Sequence, residues 1–142
     1  MAEGLLRHRF AEAGLSNQID VQSAGTFAQV GKPASQSGVA LLAQQGIDIS
    51  QHQAQQVTPT LLERADLILV MTEDHRRSIF YYGTRYLPKV FLLSELSGAH
   101  EEILDPYGQD RDAYIRVLNT IETFINAGWE RLLERLKLKS VQ

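Results

Sequence analysis

The sequence predicts an α/β domain in which a parallel sheet is covered by helices. Two observations lead there, and a third qualifies them. The run Leu67-Ile68-Leu69-Val70-Met71 is apolar without interruption and of strand length; a strand buried on both faces belongs to a parallel sheet between helix layers. Helical and strand-like segments alternate along the chain in the order helix, strand, helix, helix, strand, helix, strand, helix, which is the pattern of parallel α/β architecture. The qualification is that such a sheet normally begins with a strand, whereas the first residues here already read as helix with no capping residue.

The opening helix runs from Met1 to Phe10 and beyond, with Leu6 and Phe10 four apart on one face, and closes at Gly14. Ile19-Asp20-Val21-Gln22-Ser23 alternates apolar and polar residues and predicts a strand ending in the small-residue turn Ser23-Ala24-Gly25-Thr26. Gly31-Lys32-Pro33 is loop chemistry, and Ala34 to Gln45 predicts a helix with Val39, Leu42 and Ala43 on its stripe and Gly46 at its end. Thr58-Pro59 starts a short helix through Leu61, Leu62 and Ala65, Thr serving as N-cap and Pro as first helical residue. After the Leu67–Met71 strand, Thr72-Glu73-Asp74 caps a helix carrying Ile79 and Tyr82, with acids where the helix dipole favours them. Lys89-Val90-Phe91-Leu92-Leu93 predicts the next strand. Asp110 then caps the longest helix, whose periodic residues are Tyr114, Val117, Leu118, Ile121, Phe124, Ile125, Leu132 and Leu136, and fraying is expected after Leu138.

Composition narrows the function. The 142 residues are 44% hydrophobic and 22% charged, ordinary values for one globular domain. A net charge of −3 and the lack of a Lys/Arg stripe argue against nucleic acid. No apolar run is long enough to span a bilayer and no signal-peptide pattern opens the chain, so no membrane partner and a cytoplasmic location are expected. There are no cysteines, hence no disulfide, thiolate zinc site or cysteine nucleophile within these residues. The histidines at 8, 52, 75 and 100 are scattered without ligand spacing and read as surface or loop residues; no metal and no cofactor are expected.

The sharpest local signal is Asp105-Pro106-Tyr107-Gly108. A carboxyl on a proline-stiffened loop beside an aromatic suits a general acid, the ring helping to raise its pKa. Turn chemistry alone also explains each of these residues. Ser23-Ala24-Gly25-Thr26 offers hydroxyls and amides to an anion, or is simply a tight turn. Tyr81, Tyr82 and Tyr86 suit either stacking on a substrate or packing, and Arg7 and Arg9 either reach a phosphate or solubilise the helix.

Taken in order, five stretches resemble the low-molecular-weight protein tyrosine phosphatases: Met1-Ala2-Glu3-Gly4-Leu5-Leu6, Ser23-Ala24-Gly25-Thr26, His52-Gln53-Ala54-Gln55-Gln56-Val57-Thr58, Ala65-Asp66-Leu67-Ile68-Leu69-Val70-Met71-Thr72 and Asp105-Pro106-Tyr107-Gly108. The resemblance runs from Met1 to about Lys137. It implies a three-layer α/β sandwich around a four-stranded parallel sheet, and a phosphoprotein (phosphotyrosine) phosphatase working through a cysteinyl-phosphate intermediate. It further implies Asp105 as the catalytic acid, Tyr107 on the pocket rim and Ser23 near the phosphate-binding loop. In that family a first strand and a loop of pattern Cys-x5-Arg-Ser-Pro precede the position of Met1. Its thiolate attacks phosphorus and its guanidinium clamps phosphoryl oxygens.

This sequence contains neither element, so the expectation is an N-terminally truncated domain over 1–142, lacking the first strand and inactive by itself. An absent interior strand leaves unpaired amides and carbonyls at about 1–3 kcal/mol each, against a net stability of about 5–15 kcal/mol. Poor cooperativity and self-association through open edges of Ile19–Ser23 and Leu67–Met71 are therefore expected, unless those two strands close up and pair. A phosphorylated protein is the expected partner. The alternatives are a protein arginine phosphatase and a non-catalytic regulatory or binding protein. A thioredoxin-coupled arsenate reductase needs further cysteines, which are lacking.

Overall fold

In a computed structural model, which describes residues 1–138, the chain is α/β. The helices are α1 (Ala2–Glu12), α2 (Gln36–Ala43), α3 (Pro59–Arg64), α4 (Glu73–Tyr82) and α5 (Arg111–Leu136). The strands are β1 (Ile68–Val70) and β2 (Val90–Leu92), paired in parallel with Ile68 opposite Val90 and Val70 opposite Leu92. Short 3-10 helices occupy Thr84–Lys89 and Leu93–Ser97. The fraying expected after Leu138 falls outside the described residues.

Caps form where the sequence supplies them. The Thr58 hydroxyl accepts from the Leu61 amide, Thr72 from His75 and Asp110 from Ala113, each satisfying one orphan N–H of a helix start. On α5 the buried stripe holds Tyr114, Leu118, Ile121, Phe124, Ile125 and Leu132 as predicted, with Val117 and Leu136 only partly covered. Gly128 lets α5 close on the 3-10 helix Leu93–Ser97: a Cβ there would stand 2.8 Å from the Leu96 carbonyl carbon. On α2 the buried residues are Gly38, Leu41 and Leu42, so the stripe is rotated from the predicted Val39, Leu42 and Ala43. The cause is Gly38, which admits Met1 of α1's start to the helix surface; a Cβ would lie 3.3 Å from the Met1 Cγ.

The predicted strand Ile19–Ser23 does not form. Its burial still alternates, Ile19, Val21 and Ser23 being half-buried and Asp20 and Gln22 exposed, and both Ile19 and Val21 pack on the main core. The segment alternates in burial as a strand would but has no ladder. Its carbonyls are met by side chains instead: Arg7 donates to Val21, and Gln55 Nε2 donates to Ser23 (2.9 Å). Nor does it pair with Leu67–Met71, since the sheet among the described residues is β1 and β2 alone. The α/β class holds, but the sheet expected here, the family's four strands less the first, has two strands among the described residues. A parallel ladder needs a neighbour in register, and no described segment offers one to Ile19–Ser23. The only bridge nearby joins Gly25 to Gln56, just beyond the predicted strand.

Two apolar clusters result. The larger gathers Leu5, Leu6 and Phe10 of α1, Leu41 and Leu42 of α2, and the inward face of α5. The smaller holds Val57, Leu62, Val70, Ile79, Tyr86, Val90 and Leu92 around the sheet. Tyr86, a stacking candidate in the sequence, is 1% exposed and donates its hydroxyl to Glu63 Oε1 (2.9 Å), a packing role.

Glu95 ties the sheet's end to α4. Partial desolvation alone would raise its pKa, but bonds accepted from the Leu92 amide (2.6 Å) and the Arg76 guanidinium hold the carboxyl below the usual glutamate value. A depressed folded pKa supplies stability that is present above the unfolded value and lost as pH falls through the folded one. Urea midpoints are therefore expected to fall as pH drops below about 4.3, with a shallower acid decline in Glu95→Gln. Identical acid limbs in the two proteins would refute the linkage.

Candidate active site

A cavity of about 210 Å³ opens where α1 begins, lined by Met1 and by Asp105, Pro106 and Tyr107 on the facing loop. Ser35, His52 and Tyr114 complete its polar lining. Met1, which lines the cavity, is the N-cap residue of α1 and gives no side-chain cap to the helix start. A helix start carries partial positive charge, which suits phosphoryl oxygens.

The acid-bearing loop is built as its sequence suggests. Asp105 Oδ1 accepts from the Tyr107 amide (3.0 Å), a local turn closed by aspartate's own side chain. Pro106 is buried, and its carbonyl accepts from the Gln109 amide (2.9 Å). Gly108 takes φ +79°, where a side chain would be strained. Asp110 then caps α5. Asp105 is exposed and Tyr107 is 63% exposed, so the carboxyl stands beside the ring in contact with solvent. Tyr107 is held by Lys32, whose Nζ donates to its hydroxyl (3.0 Å) and lies 5.2 Å from the ring centre.

Of the three predicted site residues, Asp105 and Tyr107 share the cavity wall. Ser23 does not line it. Its hydroxyl donates to Glu3 Oε1 (3.2 Å) on the first turn of α1, and the other Glu3 oxygen lies 3.4 Å from His52 Nδ1. Ser23 thus reaches the cavity only through Glu3 and His52. Nothing in the sequence marks Lys32 or Ser35 as lining a site, and His52 stands out only as a loop histidine within a family-like stretch. Arg7 engages Glu3, Asp20 and the Val21 carbonyl, and Arg9 lies over the Trp129 ring; neither lines the cavity.

Residues 1–141 match the low molecular weight phosphotyrosine protein phosphatase description. The chain belongs to that family. It is 41% identical over 132 residues to the Ralstonia solanacearum protein described as "Probable low molecular weight protein-tyrosine-phosphatase EpsP", covering 93% of this chain and 86% of that one. It is 35% identical over 126 residues to the protein-arginine-phosphatase of Bacillus subtilis, covering 88% and 82% respectively. The crystal structure of the low molecular weight protein tyrosine phosphatase from T. tengcongensis superposes with a TM-score of 0.85 at 33% identity, over 92% of this chain and 88% of the other. The expected N-terminal truncation, and the inactivity drawn from it, gain no support from matches of this extent. No helix among the described residues is long and apolar enough to cross a membrane.

Proposed function

We propose that this chain serves the hydrolysis of phosphorylated proteins at phosphotyrosine, with Asp105 as the acid that protonates the leaving oxygen and then helps to activate water. The observation that carries this reading is the Asp105 turn standing in the wall of the cavity at which α1 begins. Positive partial charge at the helix start faces a carboxyl able to move a proton. Tyr107 stands at the rim for contact with the substrate's aromatic side chain, and Ser23 orients Glu3 from behind. In this route a cysteine thiolate attacks phosphorus as the P–O ester bond breaks, and Asp105 delivers its proton to the departing phenolate oxygen. Water, losing a proton to Asp105, then attacks the cysteinyl phosphate and releases inorganic phosphate and the thiolate. No metal or cofactor is needed. The 142 residues hold no cysteine, so this route requires a thiolate and a guanidinium partner that they do not supply.

The arginine-phosphatase reading draws on the 35% identity to the Bacillus subtilis relative. One assay separates the two. The chain is joined behind a family-type strand and a Cys-x5-Arg-Ser-Pro segment, then supplied with matched phosphotyrosine and phosphoarginine peptides. Faster turnover of phosphotyrosine is the expected result. Preference for phosphoarginine moves the substrate to the second reading, and a folded fusion that turns over neither peptide leaves a binding role instead. The 142-residue chain assayed alongside is expected to stay at background, and turnover there that depends on Asp105 would show that another nucleophile is at work.

A further inference from the structure

Ser94 is 1% exposed, a serine sealed in the core. It sits in the 3-10 helix Leu93–Ser97, away from the cavity lining. Its hydroxyl does not cap that helix. It accepts from the Glu101 amide (2.9 Å) and donates to the Glu101 carbonyl (2.8 Å), grasping both backbone groups of one residue. The next two residues are held from other directions. Glu102 Oε2 accepts from the Glu73 amide at the start of α4 (2.9 Å), and the Ile103 amide donates to the Met71 carbonyl just past β1 (2.9 Å). Three consecutive residues are thus fastened to three different elements. Immediately afterwards the chain is released: Leu104 is 70% exposed and Asp105 stands in solvent.

A carboxyl on a free-swinging loop is a poor proton donor, because acid catalysis depends on holding the group within hydrogen-bond reach of the leaving oxygen. The Asp105 carboxyl bonds only within its own turn, and that turn is held from outside at Tyr107, by Lys32, and by the burial of Pro106. On the C-terminal side Asp105 is thus fixed by Tyr107, Pro106 and the Asp110 cap, and on the N-terminal side its position is inherited from the Glu101–Ile103 fastening. We propose that Ser94 is a positioning residue for the catalytic acid, clamping Glu101 so that the following four-residue span presents Asp105 at the cavity. Glu102 assists by anchoring the same span to α4. The inference rests on the phosphatase reading above and assigns it a residue buried behind the acid loop.

A purely structural serine would weaken the fold without regard to the leaving group; a clamp on the acid acts only where the acid is needed. In the fused enzyme described above, Ser94→Ala is expected to slow hydrolysis of an alkyl or phenyl phosphate by about tenfold to a hundredfold, with little change for a nitrophenyl ester, whose departure needs no proton. Glu102→Ala, at an exposed position that places no demand on the core, should show the same selectivity to a smaller degree. In the 142-residue chain, Ser94→Ala should speed amide exchange at Glu101, Ile103 and Tyr107 while α5 amides keep their rates. Asp105→Asn serves as the reference. If that variant discriminates between leaving groups and Ser94→Ala does not, the clamp is wrong and the phosphatase reading stands. If Asp105→Asn does not discriminate either, the acid role falls, and the positioning role with it. Uniform acceleration of exchange through α5 would reduce Ser94 to a stability residue.

Discussion

Asp105→Asn is expected to slow the fused enzyme on a poor leaving group by about 10²–10⁴-fold, with a far smaller loss on a nitrophenyl ester. The split arises from where the proton is needed. A phenolate or alkoxide leaves as a strong base unless it is protonated as the P–O bond breaks, whereas nitrophenolate departs unaided. Asparagine keeps the size of aspartate and an oxygen able to accept from the Tyr107 amide, so the turn itself should survive the change. Loss of rate without loss of the turn then isolates the proton. Plotting rate against leaving-group pKa for both proteins makes the measurement: the aspartate enzyme should give a shallow slope and the asparagine variant a steep one. Parallel lines would remove Asp105 from the acid role and leave the Asp-Pro-Tyr-Gly stretch as a turn.

Much of this site was legible beforehand because its signals are local. Asp105 and Tyr107 lie two residues apart, and Pro106 and Gly108 fix the turn between and after them, so the stretch builds its own geometry. The caps at Thr58, Thr72 and Asp110 were readable for the same reason, each bonding an amide three residues on. What escaped depends on distant partners. Ser94 and Glu101 are seven residues apart and joined across a chain reversal at Gly98, where φ is +87°. Glu3 meets Ser23 and His52 only once α1 has docked. The 3-10 helices carry no periodic stripe long enough to read, and one of them contains Pro88. Ile19–Ser23 is instructive in the other direction. Alternation correctly gave its in-and-out burial, but a strand is a relation between two segments, and alternation in one cannot supply the second.

Trp129→Ala is expected to remove about 3–5 kcal/mol of stability, a large part of the roughly 5–15 kcal/mol that a domain possesses. Trp129 is 5% exposed on α5 and meets Phe10 of α1 with ring centres 4.9 Å apart and planes at 51°, while the Arg9 guanidinium lies 4.6 Å above the indole. Truncation leaves a cavity beside Phe10, itself 2% exposed, and strands the arginine over empty space. Trp129→Phe, which keeps a ring against Phe10, should cost much less. Arg9→Ala should cost only about 0.5–1 kcal/mol, and less still in the Trp129→Ala background, because the ring it rests on is gone. Denaturant unfolding of the parent and the four variants measures all of this, and a Trp129→Ala loss below about 1 kcal/mol would show that α1 is seated elsewhere. The matter reaches the site because α1 has two seats. Near its start, Gly4 lies so close to Ile49 of the cavity wall that a Cβ would stand 2.7 Å from Ile49 Cγ2; near its end, Phe10 rests on Trp129. A helix held at only the first of these can pivot, carrying Met1 and Glu3 away from the loop that bears Asp105. The same substitution should therefore reduce turnover in the fused enzyme even at temperatures where the variant remains folded, and the loss should be as large for good leaving groups as for poor ones, since it is the helix start that moves and not the acid.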